Sequence, residues 1–369
     1  MPLAQELRLS PRTAALAPLA WLVLAACAAS DGEATGHEKL QEPTASTPAP
    51  TMPGAAVDPL HRTFNLALEA TGGASPTQLQ SEVITDGRPF TEALPSWNVP
   101  SPTPFSVDIR VREFETSPWG PWMRIGDWLV DERAEHVRTK FDAGKVAVDV
   151  LSLDRPFLAA QVRFQSDTPI AGPVEASLVL SDLRDLPAQV ARTASSAWPD
   201  PTVVQVAPRS QRSVGDDIGG RICSPTSVAM VAAFHGVDIP TRKMAETLLD
   251  PHFDIYGNWN RAVQGPASLG LPGRLVRVSS WNTVREYLAD GLPVVASIKA
   301  KEGELAGAPY KKTAGHLLVV TGLGPAGAVH VNDPAARYPL DVPRVYQRGD
   351  MENVWFRNGG VAYVFGERH

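Results

Sequence analysis

The 369-residue chain has only two cysteines, Cys27 and Cys223, and they lie in regions of opposite character. Cys27 closes an amino-terminal apolar segment, whereas Cys223 stands deep in the chain among small polar and apolar residues. No pair is available to brace a folded domain, so each domain must be held by its own apolar core. At 43% apolar residues there is enough material for two such cores. The formal charge of −6, with Lys and Arg scattered, argues against nucleic acid as a partner. Neither cysteine has a second at metal-ligand spacing, and no His-Glu-x-x-His helix or nucleotide-binding glycine loop is present. No metal or other cofactor is therefore expected.

Residues 1–26 place Arg8 and Arg12 before an apolar stretch from Ala14 to Ala26, broken by Pro18 and too short for a membrane span. The order of charge, apolar run and small residues is that of an export signal. The ending Leu24-Ala25-Ala26-Cys27 resembles the lipobox of bacterial lipoproteins, which implies lipidation of Cys27 and a membrane-anchored protein facing the periplasm or the cell exterior. Ala28 does not resemble an inner-membrane retention signal. Residues 27–58, rich in Pro, Thr, Ala, Ser and Glu, bury too little to fold and read as a disordered tether. As flexible coil it would span on the order of 30 Å.

Residues 59–186 change to period-two alternation. Phe105, Val107, Ile109 and Val111 alternate with polar neighbours, as do Val146, Val148 and Val150, then Val162 and Phe164, then Leu178 and Leu180. This pattern predicts an all-β sandwich or jelly-roll-like domain. Trp97, Trp119, Trp122 and Trp128 cluster there, either as packing residues, the favoured reading, or as a platform for cell-wall glycan. Residues 187–202, rich in Ala, Ser and Pro, read as a linker to a second domain over 203–369.

In that domain Cys223 enters a short predicted helix, with Ser224 as N-cap, Pro225 as first helical residue and Gly236 as the stop. A thiol at a helix N-terminus is biased towards thiolate, the nucleophilic form. Two partners lie downstream. His316 opens the apolar strand Gly315-His316-Leu317-Leu318-Val319-Val320, and Asp333 ends the strand Val329-His330-Val331-Asn332-Asp333-Pro334. If residues 322 and 327 pair across a four-residue loop, His316 and Asp333 are directly opposed, roughly 5 Å apart at Cβ. That contact orients a histidine base. His330 would oppose Val319 on the other face, His235 sits at the carboxyl end of the cysteine helix, and His252 lies in a loop without a nearby pattern.

The stretch from Val204 to Tyr363 resembles the cysteine peptidases typified by bacteriocin double-glycine leader peptidases, in their stand-alone, exported branch. The matching segments are Ala207-Pro208-Arg209-Ser210-Gln211, Ile222-Cys223-Ser224-Pro225-Thr226-Ser227, Gly315-His316-Leu317 and Val331-Asn332-Asp333-Pro334, in the family's order. The resemblance implies a papain-like α+β fold, with Cys223, His316 and Asp333 as nucleophile, base and orienting carboxylate, and Gln211 as oxyanion donor. Ser224 replaces the family's usual glycine, and Gln211 lies further from the cysteine than in the leader peptidases.

Between helix and sheet, Asp254-Ile255-Tyr256-Gly257-Asn258-Trp259-Asn260 either lines a cleft or packs as a loop. Trp281 to Gly291 reads as an amphipathic helix and Leu292 to Lys299 as a strand. The expected protein is a cell-envelope lipoprotein with a cysteine-dependent amide or peptide hydrolase domain acting on envelope or external peptides or proteins. The alternatives are an acyltransferase using the same groups, and a non-catalytic envelope- or glycan-binding protein.

Overall fold

A computed structural model describes residues 52–70, 77–100, 102–130, 140–170, 172–193 and 201–366. The signal segment, Cys27 and the tether as far as residue 51 lie outside them.

The amino-terminal domain contributes strands β1 (His61–Asn65), β2 (Leu68–Ala70), β3 (Gln78–Ser81), β4 (Phe90–Asn98), β5 (Phe105–Arg112), β6 (Met123–Trp128), β7 (Lys140–Phe141), β8 (Gly144–Ala147), β9 (Val150–Phe157), β10 (Ala159–Gln165) and β11 (Glu175–Ser181). They form two antiparallel sheets, ordered β1-β11-β4-β9-β8-β7 and β2-β3-β10-β5-β6. Alternation places Phe105, Val107, Ile109 and Val111 of one sheet, and Ala93, Trp97, Leu178 and Leu180 of the other, in one shared core. Trp97 and Trp128 are buried, Trp97 edge-on to Phe105 and Phe164. Trp119 and Trp122 are half-buried. Arg110 lies over both rings, Arg112 over Trp119 and Arg163 over Trp122, so guanidinium groups stack on the tryptophan faces.

The run across Val146, Val148 and Val150 is not one strand. Ala147 pairs with Val150 in the β8–β9 hairpin, and the Asp149 N–H donates to the Ala147 carbonyl at 2.9 Å. That bond closes a tight turn on Val148, whose φ of 63° is unusual for a β-branched residue. The turn aims the Asp149 carboxylate at the second domain, which alternation alone does not reveal.

The second domain comprises α1 (Leu186–Thr193), β12 (Thr202–Val203), α2 (Cys223–Phe234), α3 (Thr241–Leu248), α4 (Trp259–Ala267), β13 (Gly273–Arg277), α5 (Trp281–Ala289), β14 (Val294–Ala300), β15 (Thr313–Leu323), β16 (Ala328–Asn332), β17 (Pro343–Gln347), α6 (Arg348–Val354) and β18 (Val361–Phe365). Its antiparallel sheet runs β13-β18-β14-β15-β16-β17, with β12 on β15, giving a mixed α/β architecture. Helix α2 is apolar and buried at every position from Val228 to Ala232, as a helix covered on all sides must be. It shares a core with Leu317 and Val319 of β15, while Trp281, Tyr287 and Trp355 pack with Leu318 and Val320 in the core on the other face.

The two domains belong to one compact unit. Strand β13 is a sheet edge, and β4 of the first domain covers it with side chains. Asn98 donates to the Gly273 carbonyl and accepts its N–H, and Ser96 Oγ accepts from the Leu275 N–H. Glu92 pairs with the buried Arg277. An open edge is thereby closed without adding a strand.

Two expected flexible segments are partly ordered. The linker begins as α1, because Leu186 and Val190, one helical turn apart, share a face that is buried in the second domain's core. The end of the tether is docked: Ala56 N–H donates to the Tyr287 hydroxyl, and the Asp58 carboxylate accepts from Ser279 and Thr283 where α5 begins. No helix among the described residues is long and apolar enough to cross a membrane.

Candidate active site

Helix α2 starts at Cys223, with Ile222 as N-cap and no capping side chain. The expected N-cap, Ser224, is instead the second helical residue, buried, with its Oγ 3.4 Å from the Tyr363 hydroxyl. The shift places Cys223 in the first turn, where its own N–H has no intrahelical acceptor and the helix dipole favours an anion. At the other end Gly236 adopts φ 86°, the left-handed stop expected of it. Ser227 Oγ donates to the Leu317 carbonyl at 3.1 Å, tying the cysteine helix to the strand of His316.

His316 lies buried in β15, opposite Ile298 of β14. Its Nε2 is 2.8 Å from Oδ1 of Asp333, which leaves Nδ1 as the ring nitrogen not taken up by the carboxylate. The assumed hairpin register does not hold. Val319 pairs with Asn332, Leu323 pairs with Val329, and a bulge falls between Val320 and Gly322. Asp333 is thus the first residue beyond β16 and reaches His316 from a turn, because the connection from Gly324 to Ala328 begins one residue later and is one residue longer than the assumed loop.

Asp333 is fully buried and fully partnered. Oδ1 also accepts from the Ala335 N–H at 3.0 Å, and Oδ2 accepts from the hydroxyls of Tyr310 at 3.1 Å and Tyr346 at 2.8 Å. Sequence reasoning missed both tyrosines. Tyr310 lies in a polar connection and Tyr346 on an edge strand, and no spacing relates either to Asp333.

The electrostatics follow from these contacts. Burial alone would push the Cys223 thiol up, but the hydrogen bond and charge of His316 and the N–H groups of Leu317 and Ser224 bring it below its ordinary value. Burial opposes charge on His316 as well, yet Asp333 and Cys223 raise the imidazole to about 10. For Asp333 the raising effect of burial is outweighed by His316, the Ala335 N–H and Tyr346, and the carboxyl stays below its usual range. The arrangement favours a thiolate–imidazolium pair backed by a carboxylate.

Gln211 is buried in a 3-10 turn spanning Gln211–Val214. Its Nε2 donates to the Gly219 carbonyl at 2.8 Å, which uses one of two amide hydrogens. Its backbone N–H donates to the Pro334 carbonyl, and Ser210 Oγ donates to the Ala336 carbonyl. The turn that presents Asp333 therefore also anchors the Gln211 segment.

Residues 203–363 match the model of the Peptidase C39 like family, and residues 56–169 match that of the Peptidase C39 N-terminal domain. The second domain is a C39-like family domain. Among solved structures it is similar to a double glycine motif protease from an AMS/PCAT transporter in complex with the leader peptide, at 14% identity and a TM-score of 0.27 over 39% of this chain and 83% of that one. It is also similar to the peptidase domain of Streptococcus ComA, a bi-functional ABC transporter involved in a quorum sensing pathway, at 17% identity and a TM-score of 0.30 over 40% of this chain and 93% of that one. No curated protein matches the chain significantly.

Gln211, Cys223, His316 and Asp333 all fall within the segment matched to the C39-like family. The remaining histidines among the described residues of the C39-like domain lie elsewhere. His330 pairs with Gly322, His235 stacks on Phe234 beyond α2, and His252 stacks on Phe253. The loop at Asp254–Asn260 serves the domain seam. The Trp259 N–H donates to Asp149, and Asn258 caps α4 by accepting from the Arg261 N–H. Among the described residues no group of His, Cys, Asp and Glu is placed to hold a metal ion.

Proposed function

We propose that the C39-like domain is a papain-like thiol hydrolase of amide bonds, carried by an exported lipoprotein and acting on peptides or proteins of the cell envelope or beyond. The reading rests on one observation above others: Asp333 fixes His316 through Nε2, on a strand that Ser227 Oγ ties at Leu317 to the buried helix opened by Cys223. The Cys223 thiolate attacks the substrate carbonyl carbon, a C–S bond forms, and the carbonyl π pair moves to oxygen. The Cys223 N–H and the second Gln211 amide hydrogen are the donors for that oxyanion. As the oxyanion collapses the C–N bond breaks, and the departing amine takes the proton from His316 Nδ1. Water then attacks the thioester, gives a proton to His316, and expels Cys223 as thiolate. Asp333 holds the imidazole in place throughout.

Lipidation at Cys27, the outward location and the envelope substrates are part of the same proposal, supported by the sequence from Arg8 to Cys27. The test is comparison of new amino termini in envelope proteins exposed to the full chain and to Cys223→Ala, by mass spectrometry. Equal cleavage by the two proteins would rule the reading out. Metabolic labelling with a fatty acid, lost in Cys27→Ser, tests the anchor.

A further inference from the structure

The carboxylate facing His316 is gripped from two sides. Oδ1 of Asp333 takes the His316 ring and the Ala335 N–H. Oδ2 takes two phenols brought by separate elements, Tyr346 from β17 and Tyr310 from the connection over 301–312. Because Asp333 has no exposed surface, these four donors are all the solvation its charge receives. They match the four lone-pair sites of an ionised carboxylate. The Tyr310 ring also stands edge-on to the His316 ring, centroids 4.9 Å apart, so one residue touches both members of the pair.

We propose that Tyr310 and Tyr346 are positioning residues, which clamp Oδ2 of Asp333 and thereby hold Oδ1 on the His316 imidazolium. The proposal rests on the Cys223–His316–Asp333 reading of the site. Without both hydroxyls, Oδ2 is a buried charged oxygen with no donor. The carboxyl then takes a proton or turns towards another donor, and either change loosens its hold on His316. His316 releases its proton at lower pH, and Cys223 loses the cation that keeps it a thiolate.

The experiment uses the full chain with Tyr310→Phe, Tyr346→Phe and the double variant; phenylalanine keeps the rings and removes only the hydroxyls. Two readouts are followed: the 15N signals of the His316 ring against pH, and the rate of iodoacetamide alkylation of Cys223, mapped by peptide mass spectrometry to separate it from Cys27. The double variant is expected to titrate His316 at least one unit lower and to alkylate about tenfold more slowly at pH 6, with smaller shifts in each single variant. A His316 titration that is unchanged or raised, with Asp333→Asn lowering it, would overturn the clamp and leave the pair intact. If His316→Ala alkylates like the parent protein, the underlying thiol–imidazole reading fails instead. Thermal melting of each variant separates lost folding, which moves the midpoint, from lost positioning, which moves the titration.

Discussion

Asp149 and Asp333 are both shut away from solvent, and their acidities are driven in opposite directions. Asp149, at the seam between the domains, is pushed up to about 7 by burial, against N–H donors from Trp259 and Asn260 and beside the like charge of Asp250. Asp333, equally buried, is held below the usual carboxylate range because His316 accompanies it as a cation and hydroxyl donors surround it. Burial alone makes a carboxyl a weak acid; a cation enclosed with it restores the charge. The first residue is suited to joining two domains by accepting backbone N–H groups, the second to orienting a base.

The sharpest test of this difference exchanges carboxylate for amide at each position. Asp333→Asn keeps the shape and removes the charge behind His316, so hydrolysis is expected to fall by about 10²- to 10⁴-fold. Asp149→Asn is expected to leave the rate per folded molecule within about twofold. Rates of peptide release, normalised to titratable Cys223, decide the matter. A comparable loss in both variants would break the comparison.

Next in size is the ion pair across the seam. Arg277 is buried, and burial lowers its guanidinium to about 9. Its NH1 donates to the Gly359 carbonyl, while Glu92 supplies the counter-charge. Glu92→Ala leaves that cation without its carboxylate, at an expected cost of about 3–5 kcal/mol in urea unfolding. Alkylation of Cys223 in the protein that remains folded should be unchanged.

The two aspartates also separate on the pH axis. The raised Asp149 binds its proton more tightly folded than unfolded, so its contribution is greatest below about pH 4 and is lost as pH rises towards 7, by on the order of 4 kcal/mol. Asp149→Asn should flatten that window in chemical denaturation curves. His316, raised to about 10, contributes fully below its ordinary value and loses that contribution as pH rises through 10. Asp333→Asn should flatten this alkaline window instead.

What the sequence made legible follows the range of the contacts. Cys223, His316 and Asp333 each sit in a local pattern, a helix start, a Gly-His strand entry and an Asn-Asp-Pro strand exit, and those patterns were enough to pick out the three residues the fold brings together. The pairing that joins His316 to Asp333 was misjudged, because the turn-rich run from Gly322 to Gly327 does not show that the loop begins at Gly324 and takes in Ala328. Tyr310 and Tyr346 were invisible, since two phenols converge on one oxygen only after the chain has folded. The docked end of the tether was missed for the same reason: Asp58 finds its partners at Ser279 and Thr283, far along the chain. Alternation through Phe105–Val111 was readable because each inward side chain reports its own environment. The same rule failed at Val148, where a valine occupies backbone space that composition argues against.

That valine gives the smallest effect and a sign opposite to the usual one. Glycine within β structure is ordinarily destabilising, since it loses more chain entropy on folding. At Val148, however, φ of 63° and the Asp149 N–H to Ala147 carbonyl bond define a turn that strains a β-branched residue by about 1–3 kcal/mol. Val148→Gly should release that strain, lose part of it to entropy and to the packing of a half-buried side chain, and stabilise the protein by about 1 kcal/mol. The gain should survive in an Asp149→Asn background if the strain belongs to the turn alone. If it disappears there, the strain is maintained by the carboxylate's bond to Trp259, and the seam, unlike the site around Asp333, is held at the expense of its own backbone.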